Sequence, residues 1–314
     1  MVEQRIRNAR VGGSSPLPGT SPPEGTAARP SFWLRAAGWI PLFLWYPLAR
    51  LLAFLAWRVI PYRRHVVEEN LKASFPEWDD AQRERVIRDY YRGFADMLVE
   101  ILHVSRMTRA EVDRRVPIAN PELVRDEVAR GKPVLIMAAH QCNWEWMLLA
   151  FSTQLGVPVD AAYKPLSGGW GQRAMLAVRS RFGARMIPAQ QLLGDLIQQR
   201  HAPRAIAMLA DQEPVKSERR QWLHFLNRDT AFFLGAEEIA RAMRYPAVFA
   251  RLRRVGRGRY ECVFVPLVAT GEKLEPGEFT ARYAAQVEEQ IRQSPPDWPW
   301  SHKRWKLKKP LYGA

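Results

Sequence analysis

Cysteine is nearly absent from this chain: among 314 residues there are two, Cys142 and Cys262, far apart. That count excludes a disulfide framework or a paired cysteine metal site, and it makes a reducing cytoplasm the default compartment. The other five histidines beside His140 (His65, His103, His201, His224 and His302) show no H-E-x-x-H spacing, so a metallohydrolase is disfavoured and neither metal nor cofactor is expected. Acidic residues are also short. Against 47 Lys and Arg stand 32 Asp and Glu, a formal net charge of +15, with a pI of about 10.2. So large an excess predicts an anionic partner, whether nucleic acid, an anionic membrane surface or an acidic substrate. Composition alone does not choose among them.

A clean membrane-spanning run is lacking too. The hydrophobic stretch from Ala36 to Trp57 is broken by Arg50, and Pro41 and Pro47 interrupt it. Its longest uncharged part, Ala36–Ala49, falls short of the roughly 18 residues of an ideal span. What it does have is Trp33, Trp39, Trp45, Tyr46 and Trp57, with Arg58, Arg63 and Arg64 directly after. Aromatics favour the headgroup interface, and the arginines suit an anionic cytoplasmic leaflet. Membrane attachment is therefore expected, spanning or lying flat, against the alternative of a buried amphipathic hairpin. Residues 1–30, rich in Gly, Ser, Pro and Arg, read as a disordered leader and not as a signal peptide. No internal repeat is evident.

Three regions follow from the patterning: the leader 1–30, a hydrophobic membrane-associating segment 31–60, and a domain 61–314 with a helical entry (61–131) and an α/β part (132–314). In the entry, Ile87, Tyr90, Tyr91, Phe94, Leu98, Ile101 and Leu102 recur at three- and four-residue spacing, which predicts an amphipathic helix over Arg83–Val104. From Pro133 apolar runs alternate with helical segments. Strands are expected at Val134–Ala139, Val157–Tyr163, Ala205–Ala210, Ala247–Arg253 and Tyr260–Pro266. Helices are expected near Asn143–Leu155, Gly171–Phe182, Gln190–Gln199, Gly235–Met243 and Phe279–Gln293. The fold class is α/β, a mixed and largely parallel sheet flanked by helices.

In open α/β sheets reactive groups collect at the carboxyl ends of strands, where His140 and Asp211 both fall. The stretch Ala139-His140-Gln141-Cys142-Asn143-Trp144-Glu145 puts an imidazole on a strand tip and a carboxylate in the first turn of the next helix. With a turn between them Glu145 reaches back to the ring, fixes its tautomer and leaves the other nitrogen to take a proton. The spacing fits equally a core histidine beside a helix-start glutamate.

H-Q-C-N-W-E resembles the signature of the late lipid A acyltransferases, within the glycerolipid acyltransferase-like group marked by His, four residues, then an acid. Further segments agree in order: Glu69-Asn70-Leu71 with Phe75-Pro76-Glu77, Tyr163-Lys164-Pro165, Arg179-x-Arg181-x-Gly183, Ala210-Asp211-Gln212, and Pro295–Lys306 with its W-x-W-x-H-K-R. The resemblance covers about residues 35–309. It implies that His140 takes a proton from an acceptor hydroxyl attacking an acyl thioester, with Glu145 steadying the imidazolium. Donors at the helix start near Asn143, or Arg181, would hold the oxyanion. Arg179 and Arg181 alternatively hold phosphates, or form a solvated helix face. Asp211, with Gln212, would orient donor or acceptor, or merely cap its turn. His302 and Arg304 would contact lipid phosphates, or pack among Trp298, Trp300 and Trp305; Lys303, Lys306, Lys308 and Lys309 add a basic tail.

The family usually has glycine where Cys142 stands, and a cysteine tolerates a positive φ poorly, so an altered turn is expected. Cys142 as a thiol nucleophile is the minor alternative. Implied partners are an acyl carrier protein or acyl-coenzyme A donor, an anionic glycolipid acceptor and the cytoplasmic side of the inner membrane. The nearest rival is an acyl-coenzyme A-dependent enzyme acting on phosphatidylinositol mannosides. A nonenzymatic membrane- or nucleic-acid-binding protein is the rival of another class. The basic residues are dispersed and no nucleic-acid module is present, so no nucleic-acid partner is expected.

Overall fold

The computed structural model describes residues 32–165 and 169–309; the expected leader lies outside them. Two helices open the chain, α1 (Phe32–Trp39) and α2 (Leu42–Phe54), the second running on through a π-helical turn at Leu55–Val59. The entry is built of helices, α3 (Arg64–Ser74), the long α4 (Asp80–His103), α5 (Arg109–Arg115) and α6 (Glu122–Ala129), with one parallel bridge from Ile118 to Cys262. Asp79 starts α4, its carboxylate accepting from the Gln82 N–H at 2.6 Å, which satisfies one of the donors every helix start leaves over.

The remainder alternates: β1 (Val134–Ala138), α7 (Trp144–Gln154), β2 (Val159–Tyr163), α8 (Gly169–Arg179), β3 (Arg185–Pro188), α9 (Ala189–Gln198) and β4 (Ala205–Leu209). A hairpin of β5 (Arg220–Phe225) and β6 (Arg228–Phe233) intervenes before α10 (Gly235–Met243), β7 (Ala247–Gly256), β8 (Arg259–Val268) and α11 (Glu278–Gln293). The main sheet has the order β3-β2-β4-β1-β7-β8; its first five strands are parallel and β8 is antiparallel to β7. This is the mixed, largely parallel α/β sheet expected.

β1 lies centrally and all five of its residues are buried. Side chains alternate across a strand. Val134, Ile136 and Ala138 therefore join one core with Trp146, Leu149 and Phe151 of α7, while Leu135, Met137 and Ala139 join another with Tyr283 and Val287 of α11 and Tyr90 and Tyr91 of α4. A strand buried on both faces reads as an unbroken apolar run, hence its clear signal.

Two elements go beyond expectation. β3 is a four-residue strand ending in proline, too short for a periodic signal. The β5–β6 hairpin turns on Leu226 and Asn227, both with positive φ (49° and 60°), the conformation of a tight two-residue hairpin turn. Asn227 was its available signal, diluted by a leucine where such turns favour Asn, Asp or Gly.

The hydrophobic segment is not a buried hairpin. Leu42, Ala49 and Ala53 face inward, while Phe43, Leu44, Leu48, Leu51, Leu52 and Phe54 are exposed. Leu42–Val59 is long and apolar enough to cross a membrane, by length and composition.

Candidate active site

His140 and Asp211 meet because their strands are neighbours in register. Ala138 of β1 pairs with Leu209 of β4, and each functional residue lies two positions further on. At the carboxyl edge the His140 Nδ1 therefore sits 2.6 Å from Asp211 Oδ1, and the His140 backbone N–H donates to Oδ2 at 3.1 Å. Trp298 Nε1 donates to the same Oδ2 at 2.9 Å. Asp211 is 1% exposed. Burial opposes its ionisation, but the charge of His140 and the bonds from His140 and Trp298 outweigh it, leaving its pKa below the ordinary carboxylate value. An ionised Asp211 accepts only, so Nδ1–H donates to it and Nε2 is the ring nitrogen left to exchange a proton. On that open side the exposed Gln212 Nε2 stands 3.4 Å away, and the Trp144 ring packs edge-on at 5.1 Å between centroids.

Glu145 does not hold the ring. It is 3% exposed, and its carboxylate takes two bonds from Arg179, Nε to Oε2 at 2.8 Å and Nη2 to Oε1 at 2.6 Å. Trp144 Nε1 adds a third at 3.0 Å. A carboxylate in the first turn of α7 is drawn to the part-buried guanidinium at the end of α8, and the bidentate fork wins over a backward reach to the imidazole. Thus Arg179 is committed to Glu145, and the expected Glu145-to-ring contact is replaced by Asp211.

The other expected site residues are distributed as follows. Asn143 is buried and occupied at both ends. Its Oδ1 accepts from Trp146 N at 3.0 Å, capping α7, and its Nδ2 donates to Glu100 Oε2 at 2.8 Å. Its side chain is thus a scaffold rather than a ligand for substrate. Arg181 donates through Nη2 to the Met107 carbonyl at 3.0 Å and lies over the Phe182 ring. Arg304 is 1% exposed. It donates to the backbone carbonyls of Asp211 (2.6 Å) and Ala231 (2.7 Å), so it holds the Asp211 turn and no lipid phosphate. His302 is pushed down to about 4 by burial, then by Arg304. At neutral pH it is uncharged, which argues against phosphate binding.

Cys142 does adopt φ 53°, so the turn keeps the glycine-like conformation, at a cost of about 1 kcal/mol. Its N–H donates to the Asp297 carbonyl at 2.9 Å. Burial pushes its thiol well above the ordinary range, the opposite of an activated nucleophile.

Glu100 was missed. It is a fully buried carboxylate on α4 that accepts from Asn143 Nδ2, from Tyr260 OH at 2.7 Å and from Tyr46 OH at 3.3 Å. It lies on the inward stripe of the helix, where a lone acid among apolar positions was the available signal. Among the described residues no cluster of His, Cys, Asp and Glu is arranged to hold a metal.

At the carboxyl edge of the sheet an imidazole backed by Asp211, with Glu145 five residues on in the first turn of α7, forms an arrangement suited to general acid–base chemistry. The chain belongs to the bacterial lipid A biosynthesis acyltransferase family, whose pattern matches residues 30–307. It is similar to a lipid A biosynthesis acyltransferase of Haemophilus influenzae, 20% identical over 240 residues that make up 76% of this chain and 74% of that protein. The chain is an acyltransferase.

Proposed function

We propose that this enzyme moves a fatty acyl group from an acyl thioester, carried by acyl carrier protein, to a hydroxyl of a lipid A precursor. The His140–Asp211 pair carries this reading, because it occupies Nδ1 and leaves Nε2 of a part-exposed imidazole to take a proton. His140 Nε2 takes the proton of the acceptor hydroxyl as its oxygen attacks the thioester carbonyl. Asp211 stabilises the imidazolium through Nδ1. The tetrahedral oxyanion is met by the N–H groups of Trp144 and Glu145, which helix geometry leaves without intrahelical acceptors, Trp146 N being capped by Asn143. As the C–S bond breaks, the imidazolium returns its proton to the departing thiolate.

Glu145 acts at one remove, fixing Trp144 beside the imidazole and holding Arg179. Gln212, exposed beside Nε2, is positioned to meet the incoming hydroxyl. The basic surface attracts an acidic carrier protein and a phosphorylated acceptor. The exposed apolar face of α2 attaches the enzyme to the inner membrane on its cytoplasmic side.

Mass spectrometry of lipid A from cells with and without the gene tests the assignment. Loss of one secondary acyl chain is expected. Unchanged lipid A, with transfer from acyl-coenzyme A to phosphatidylinositol mannoside by the purified enzyme, refutes both donor and acceptor.

A further inference from the structure

A cavity of about 780 Å³ opens where α2 meets α4 and the turn between β7 and β8. Its lining brings together Arg50, Arg88, Arg92, Arg254 and Arg257 with only three carboxylates, Asp89, Asp96 and Asp297. Two arginines are spoken for: Arg257 is held by Asp96, and Arg254 Nε by Asp297 Oδ1 at 2.8 Å. Arg88 and Arg92 share the single carboxylate of Asp89, at 3.4 and 3.2 Å. Arg50 comes from α2 as the fifth guanidinium, so two positive charges are in excess. Like charges are gathered this way at a cost, which an anion offsets. Beside Arg50, α2 adds apolar surface: Ala53 and Phe54 line the cavity, and Phe54 and neighbouring Leu51, just outside the lining, are about half exposed.

We propose that this cavity binds the phosphate of an anionic lipid, with the lipid's chains along Leu51 and Phe54. The site is separate from the His140 crevice but joined to it, since the Asp297 that pairs with Arg254 also accepts the Cys142 N–H through its carbonyl. The proposal rests on the membrane attachment argued above. The shared chemistry is a phosphate ester on an amphiphile, from either bulk phospholipid or the acceptor.

The test is co-sedimentation of the full chain with vesicles of phosphatidylcholine, alone or with about a quarter phosphatidylglycerol. The triple variant Arg50→Gln/Arg88→Gln/Arg92→Gln is compared with Arg130→Gln/Arg200→Gln/Arg219→Gln, which removes the same charge from exposed positions elsewhere. Each arginine near an anionic surface is worth about fivefold in binding, so the cavity triple should lose on the order of a hundredfold on phosphatidylglycerol vesicles. The control triple should lose far less. Equal losses in both triples, or none in either, overturn the proposal. A wild-type protein that ignores both kinds of vesicle overturns the attachment as well. If the triple does not fold, Arg50→Gln alone should lose about fivefold, and an unchanged value overturns the site. A second arm measures KM for a phosphorylated lipid A precursor in neutral detergent. A raised KM in the cavity triple assigns the acceptor, and an unchanged KM with lost vesicle binding assigns bulk phospholipid.

Discussion

Replacing Asp211 by asparagine keeps volume and shape but reverses one hydrogen bond. Asp211 Oδ2 faces two N–H donors, the His140 backbone and Trp298 Nε1, while Oδ1 faces the ring. An asparagine set with its oxygen toward the two donors turns its NH2 toward His140 Nδ1. The opposite orientation would press the NH2 against two donors and leave both unsatisfied, about 1–3 kcal/mol each. The favoured orientation makes Nδ1 an acceptor and moves the ring proton to Nε2, the nitrogen that must receive the proton of the attacking hydroxyl. In a serine protease triad the equivalent tautomer reversal lowers kcat about 10⁴-fold, or about 5 kcal/mol of barrier. Asp211→Asn should therefore cost on the order of 10³–10⁴-fold in kcat with the fold intact. The assay is single-turnover acyl transfer from a labelled thioester, with circular dichroism as control. Turnover within about threefold of wild type, in a folded protein, would refute the role given to Asp211 and return the imidazole to Glu145.

Glu145→Gln should lower stability by roughly 2–4 kcal/mol, because it strands a largely buried Arg179, and Glu145→Gln/Arg179→Met should recover much of it. Urea unfolding of the two singles and the double reads that coupling, and simple additivity would contradict the pairing. Cys142→Ser should retain activity, as a thiol held buried and protonated has no part in transfer; its loss in a folded protein would revive the nucleophile. His302 is held at about 4 in the fold, against about 6.5 unfolded. The unfolded chain therefore binds a proton that the native one refuses, so this contribution is complete above about pH 6.5 and drains away toward pH 4. By pH 5 at most about 2 kcal/mol of it has been lost, less after solvent screening of this part-exposed ring, and denaturation of wild type and His302→Asn at pH 5 and 7.5 should show the variant less acid-sensitive. Glu100→Gln has one acceptor oxygen for the three donors it faces, so Asn143 loosens. We expect kcat lower by about 10–100-fold, roughly 1.4–2.7 kcal/mol of barrier, and a Tm drop, with full activity contradicting the scaffold role.

Local patterning made the α/β layers legible. β1 is an apolar pentad buried on both faces, α4 carries an inward stripe, and strand, turn and helix around His140 read directly from Val134 to Leu155. The hydrophobic segment was legible as an apolar run, and the structure leaves much of it exposed. Those properties depend on neighbours along the chain, and near neighbours are what a sequence displays.

The partner of the imidazole was decided elsewhere. Glu145 lies five residues from His140 and Asp211 lies 71 away, so proximity in sequence favours the acid that the fold keeps off the ring. Parallel pairing of β1 with β4 in register brings the distant carboxylate alongside, and a guanidinium from the end of α8 claims the near one. Arg181 and Arg304 likewise spend their donors on backbone carbonyls that only the folded chain carries to them. Charge type and local spacing were fixed by the sequence itself. Which charge meets which was set by strand order and register, since hydrogen bonds form over about 3 Å and take no account of separation along the chain.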